Sequence, residues 1–236
     1  MQAHRTWIAL SLASSLLFLF ARPFSSGNWP VVAKTLSIVL LAVIGFGINR
    51  LLGCALALSA IGDLVLGLQK IGKFGADALF MGGLVAFLLA HVLYIAMFVA
   101  YLPKTRSRLG PWRIAGVALV VIVLASMLRV LYPKLGSMLL PVIVYSLVLC
   151  TMATSALLAD LGNPWAGIGA LCFVASDGML AIAKFHVVFP ASAWLVWTTY
   201  YMAQLGLLEG VRRGVESRTA AGGVDAANLR SGAGAR

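Results

Sequence analysis

Eight stretches of roughly twenty apolar residues, parted by short polar breaks, constrain this chain more than anything else in it. They run Thr6–Ala21, Pro30–Ile48, Leu51–Leu68, Ala78–Leu102, Trp112–Leu131, Gly136–Leu158, Trp165–Ala183 and Phe189–Gly210. A helix needs about 20 apolar residues to cross the hydrocarbon core. Inside that core only helices and closed barrels satisfy every backbone polar group. The runs are continuous, not alternating, so they predict helices. The expectation is an all-α, polytopic membrane bundle of about eight transmembrane helices over residues 1–210. The breaks carry turn signals, such as Arg22-Pro23, Asn49-Arg50, Tyr132-Pro133 and Gly162-Asn163-Pro164. His4 and Arg5 precede the first run as in a signal peptide, but Arg22-Pro23 follows it with no small-x-small cleavage site, so it is read as a retained helix. Residues 211–236 hold too little apolar content to fold alone and read as a disordered basic tail.

The charges support a membrane protein. Charged residues make up 11% of the chain, with 7 acidic residues against 18 Lys plus Arg and a net charge of +11. An average soluble domain carries about 25%, so a water-soluble enzyme and a disordered chain are both excluded. The basic excess reads as interfacial anchoring and orientation, with the lipid bilayer as partner and no nucleic acid. Eleven Lys and Arg fall on the side of the two termini and seven on the other (among them Arg22, Lys34, Lys70, Lys73 and Lys184). That bias favours cytoplasmic termini, in the plasma (inner) membrane of a bacterial host. Cys54, Cys150 and Cys172 lie in apolar runs without metal-ligand spacing. His4 and His186 are terminal or loop residues, so no metal site is expected. Nucleophile-elbow, P-loop, Rossmann and HExxH signatures are missing, and no cofactor is implied.

Scarcity makes each acid informative. Asp77 and Asp160 sit at helix ends, and Asp77 suits the first turn of a helix beside its dipole. Glu209 ends the eighth run near Arg212 and Arg213, as an interfacial ion-pair partner. Asp63 and Asp177 alone lie well inside apolar runs, where a charged Asp costs about 2.5–3.5 kcal/mol even on the lenient insertion scale. They need a partner, a water-filled cavity or a proton. Both fall past the middle of their runs, at similar depth. The segments Gly62-Asp63-Leu64-Val65-Leu66 and Ser176-Asp177-Gly178-Met179-Leu180 are alike, each with a Lys seven residues after the Asp (Lys70, Lys184). This is consistent with two parallel four-helix repeats, an arrangement that places sites between halves. Two carboxylates sharing one cavity can divide acid and base roles.

Other polar groups sit in apolar surroundings. Phe87, His91 and Tyr94 share one helix face by their spacing, and His91 is the histidine within a helix core. Lys34 and Lys184 lie near the same membrane boundary as the two Asp. There they either snorkel to headgroups or hold a lipid phosphate near the cavity. Tyr145, Tyr200, Tyr201 and Gln204 either line a cavity or cross-link helices.

Three stretches resemble the YhhN family of multi-pass membrane proteins, which includes the lysoplasmalogenases. They are Ser59-Ala60-Ile61-Gly62-Asp63, Phe87-Leu88-Leu89-Ala90-His91-Val92-Leu93-Tyr94-Ile95 and Gly169-Ala170-Leu171-Cys172-Phe173-Val174-Ala175-Ser176-Asp177. Tyr200-Tyr201-Met202-Ala203-Gln204 is similar to the family's last-helix pattern. The family's usual Lys-Pro pair is here Lys34-Thr35. The resemblance implies hydrolysis of the vinyl ether bond of lysoplasmalogens to a fatty aldehyde and glycerophosphoethanolamine or glycerophosphocholine. A lysophospholipid substrate then meets a catalytic pair, Asp63 and Asp177. Lys34, Phe87, His91, Tyr94, Tyr145, Ser176, Lys184, Tyr200 and Gln204 are the expected substrate-binding residues. The alternative is a proton-coupled transporter or lipid carrier, since intramembrane Asp and His also mark proton relays. An intramembrane aspartyl protease is disfavoured, because Ala60-Ile61-Gly62-Asp63 lacks the first Gly of a GxGD signature.

Overall fold

The computed structural model describes residues 2–21, 28–69, 75–103 and 110–233. Arg22, Lys70, Lys73, Lys104, Arg106, Arg108 and Arg236, which enter the charge count above, lie outside them. The described residues form eight helices: α1 Gln2–Ala21, α2 Trp29–Ile48, α3 Arg50–Leu68, α4 Ala76–Val99, α5 Pro111–Leu131, α6 Leu139–Leu158, α7 Trp165–Phe185 and α8 Ser192–Ala233. Two 3₁₀ turns, Tyr132–Lys134 and Gly136–Met138, join α5 to α6. Helices α2 to α7 are each long and apolar enough to cross a membrane, and α1 holds a shorter apolar run, His4–Phe20. α8 continues through Gly210 into the basic tail without a helix end there.

The surface is that of a protein whose solvent is lipid. Leu17, Val32, Ile61, Ile122, Leu147 and Met202 all point outward and are half exposed or more, although water would oppose such a surface. Polar groups instead face inward and tie helices together. Ser11 donates to the Ser37 carbonyl (2.7 Å) and meets the Tyr201 hydroxyl (2.9 Å), and Trp197 Nε1 donates to Ser15 (3.0 Å). These contacts fasten α1 to α2 and α8.

The break between α2 and α3 is a single residue. Asn49 is extended (φ −154°, ψ 131°), and its side-chain oxygen accepts from the amides of Leu51 and Leu52. One capping side chain thus satisfies two orphan amides of α3 and turns the chain back. The α7–α8 seam needs glycine: a Cβ on Gly206 would lie 2.9 Å from Gly169 Cα and 3.1 Å from the Trp165 carbonyl.

Neighbouring helices pack within each half, α1 to α4 and α5 to α8, and across the halves α4 packs on α6 and α8 on α2. Taking α2 as counterpart of α6 and α4 of α8, these two cross-packings are the same contact seen twice. The arrangement is consistent with the expected repeat and brings α3 and α7 to a common interior.

At the face holding both termini, Arg113 is buried and donates to the Leu158 and Ala159 carbonyls (3.2 and 2.8 Å), closing the end of α6. Arg218 donates to the Asp160 carbonyl (2.9 Å) and lies over the Tyr101 ring. Glu209 accepts from Arg212 and Arg213, each at 2.6 Å.

Candidate active site

Asp63, on α3, is 1% exposed. Gly62, before it, leaves room for Phe87 of α4: a Cβ there would lie 2.7 Å from the Phe87 ring. Lys34 reaches in from α2 and places Nζ 2.8 Å from Asp63 Oδ1. The Tyr200 hydroxyl, from α8, donates to the other oxygen, Oδ2, at 2.7 Å. Behind it the network continues away from the cavity: Gln204 Nε2 donates to the Tyr200 oxygen (3.1 Å), and the Tyr94 hydroxyl donates to Gln204 Oε1 (2.7 Å). Four helices are thereby fixed around one carboxylate.

Asp177, on α7, is held differently. The Tyr145 hydroxyl of α6 donates to Asp177 Oδ2. Among the described residues no ammonium or guanidinium pairs with it. The neighbouring Ser176 side chain turns back to donate to the Val196 carbonyl of α8 (3.0 Å).

Both acids line one cavity of about 370 Å³. Its wall is mostly apolar, and it includes Phe18, Val31, Gln69, Phe80, Leu131 and Phe185. These residues sit at the helix ends opposite the two termini, so the cavity lies toward that face. Of the expected substrate-binding residues, Lys34, Phe87, Tyr145, Ser176, Lys184 and Tyr200 line it. His91, Tyr94 and Gln204 stand behind the wall, fully buried. His91 packs edge-on against Tyr145 (5.4 Å) and Phe173 (4.7 Å) and supports the tyrosine that holds Asp177. Lys34 is engaged with Asp63 rather than turned to the boundary. Lys184 is the other cavity-lining ammonium, 3.7 Å from Asp77 Oδ1 and 4.9 Å from the Phe80 ring.

One residue and one contact were missing from the sequence reading. Trp197 lines the cavity, lies 5.3 Å from Lys34 Nζ and packs against Tyr200. Its spacing from Tyr200 and Gln204 puts all three on one face of α8, a signal present in the sequence. Asp77 does stand in the first turn of α4, but its reach across to Lys184 was not legible. Among the described residues no cluster of His, Cys, Asp or Glu could hold a metal.

Fold and cavity together define a polytopic membrane protein in which a buried carboxylate, Asp63, and a half-buried one, Asp177, face one apolar chamber. The YhhN family model matches residues 29–211, and the chain belongs to this family. A Mycobacterium tuberculosis (strain CDC 1551 / Oshkosh) protein named lysoplasmalogenase is 36% identical over 165 residues, covering 69% of this chain and 60% of the relative. Human lysoplasmalogenase TMEM86B is 37% identical over 164 residues, covering 67% of this chain and 62% of the relative. The rat protein of the same name is 33% identical over 211 residues, covering 85% and 82%. The chain thus spans about 60% of the length of the mycobacterial and human relatives. No solved structure is significantly similar to it.

Proposed function

We propose that this chain is a membrane-embedded hydrolase that cleaves the vinyl ether bond of lysoplasmalogens, with Asp63 and Asp177 as its acid–base pair. The relatives named lysoplasmalogenase support the substrate class. The observation that carries the chemistry is the unlike settings of two carboxylates in one cavity: Lys34 neutralises Asp63, whereas Asp177 is met by a neutral phenol.

Asp63 is therefore the anion of the pair and Asp177 the proton carrier. Asp177 donates its proton to the β-carbon of the vinyl ether, and an oxocarbenium ion forms at the carbon bearing oxygen. The Asp63 carboxylate stabilises that cation and takes a proton from the attacking water, as paired carboxylates do in glycosidases. The resulting hemiacetal collapses: Asp63 returns its proton to the departing glycerol oxygen, and Asp177 takes the hydroxyl proton. One water is consumed, aldehyde and glycerophosphoalcohol leave, and both acids regain their starting states. Tyr145 and Tyr200 fix the two carboxyl groups, and the apolar wall takes the alkenyl chain. With cytoplasmic termini, the chamber opens toward the opposite side of the membrane.

The test is purified protein in detergent with lysoplasmalogen in D₂O. Aldehyde carrying one deuterium on the carbon next to the carbonyl is the expected product. Binding without turnover would favour a carrier instead, and cleavage of a transmembrane peptide would revive the protease reading.

A further inference from the structure

The Lys184–Asp77 pair serves no fold-building purpose that its geometry reveals. Its 3.7 Å separation is long for an ion pair, and the Asp77 side chain is 80% exposed. A pair of this kind is held weakly and is easily exchanged. Yet the Lys184 ammonium lies over the ring of Phe80, which itself packs edge-on against Phe185, and all three residues line the cavity. The pair is thus an ammonium that lines an apolar chamber and an exposed carboxylate beside it.

The position of Lys184 relative to Asp177 matters. Seven residues separate them on α7, which is two turns on the same face and about 10.5 Å along the axis. In a lysoplasmalogen, eight bonds run from the vinyl β-carbon to a phosphate oxygen, roughly 10 Å at the ~1.2 Å per bond of an extended chain. A lipid whose vinyl ether meets Asp177 is therefore long enough to place its phosphate at Lys184. The headgroup ammonium follows the phosphate by a two-carbon link, and the carboxylate beside Lys184 is Asp77.

Resting on the hydrolase reading above, we propose that Lys184 and Asp77 form the headgroup site: the pair opens and re-forms as Lys184 to phosphate and Asp77 to ammonium, which selects a zwitterionic glycerophospholipid and sets the register of its vinyl ether. Phosphate gains a charge-assisted bond from Lys184, and the exchanged partners conserve the number of charge pairs. Lys34, already committed to Asp63, takes no part.

The test measures binding of three non-cleavable lipids to the full chain in detergent: a 1-O-alkylglycerol, a 1-O-alkylglycerophosphate and a 1-O-alkylglycerophosphocholine. Lys184→Gln should weaken both phosphate lipids roughly tenfold or more and leave the alkylglycerol within about twofold. Lys184→Arg should restore most of the loss. Asp77→Asn should act in opposite senses, tightening the glycerophosphate by removing a competing anion and weakening the glycerophosphocholine by removing the ammonium's partner. Equal effects of Lys184→Gln on all three lipids, or the same direction of change for both phosphate lipids with Asp77→Asn, would overturn the proposal. Aldehyde release is scored separately. The expected binding pattern without turnover overturns the hydrolase but not the headgroup site. Turnover with an unchanged KM in Lys184→Gln overturns the site but not the hydrolase.

Discussion

Lys34 Nζ and Asp63 Oδ1 lie 2.8 Å apart in the bundle interior, with the Lys34 side chain 19% and the Asp63 side chain 2% exposed. The pair joins α2 to α3 where the chain would otherwise hold an isolated charge among apolar helices. Such a pair adds little net stability over apolar packing, but breaking it strands the surviving partner.

Lys34→Met should therefore lower stability in detergent by about 3 kcal/mol, because Asp63 loses its counter-charge and keeps only the Tyr200 hydroxyl. Lys34→Met combined with Asp63→Asn should recover most of that stability. Aldehyde release should stay lost in both. Unfolding followed by intrinsic fluorescence checks the first outcome, and a coupled aldehyde assay the second. A double variant no more stable than the single one would show that Lys34 does not serve Asp63.

The tyrosines give a second expectation. Tyr200 donates to an Asp63 that also has Lys34, whereas Tyr145 is the hydrogen-bond partner of Asp177. Removing a hydrogen bond to a charged or reacting carboxyl costs about 1.5–3 kcal/mol. Tyr145→Phe should slow turnover roughly 10–100-fold with little change in KM. Tyr200→Phe should cost less in rate, because Lys34 still holds Asp63, but more in stability, because Gln204 and Tyr94 lose their link to the carboxylate. The kcat of each variant, set beside its melting temperature, separates the two cases.

The number of helices and the two acids were legible in the sequence because both follow from transfer energies. Hydrocarbon demands long apolar helices and penalises every buried charge, so the breaks and the exceptions stand out. The facing of each helix was not legible. A lipid-facing side is as apolar as a packed interior, and outside α1, α4 and α8 few polar residues mark which side turns inward. Lys34 thus read as a boundary residue, and only the packing of α2 on α3 turns it onto Asp63. Tyr200 and Asp63 are 137 residues apart, and their meeting depends on α8 packing against α2. His91 was legible as a buried polar group, but its place behind Tyr145 is a matter of helix rotation.

The α7–α8 seam tests that packing. A side chain at Gly206 meets the backbone of Gly169 and Trp165 within 3.1 Å, and backbone cannot yield as a flexible side chain does. Gly206→Val should cost about 1–3 kcal/mol by overpacking. It should also lower activity beyond that loss of stability, since α8 carries Tyr200, Gln204 and Trp197 to the site. Activity per folded molecule, measured below the variant's melting temperature, checks this. An unchanged value would mean that the seam and the chamber are mechanically independent.

The two acids should differ when each loses its charge. Asp63→Asn and Asp177→Asn should each reduce aldehyde release at least 10²–10⁴-fold, the contribution of a positioned acid or base. Their effects on the fold should diverge. Asn at 63 leaves the Lys34 ammonium without its carboxylate in a largely buried setting, so this variant should be less stable than the parent. Asn at 177 strands no cation and keeps an oxygen to accept from Tyr145, so it should melt near the parent temperature. Asp177→Asn is accordingly the cleaner trap: it should still bind lysoplasmalogen while failing to protonate it. Release of aldehyde by this variant at near-parent rate would remove Asp177 from the proton-carrying role and, with it, the division of labour between the two carboxylates.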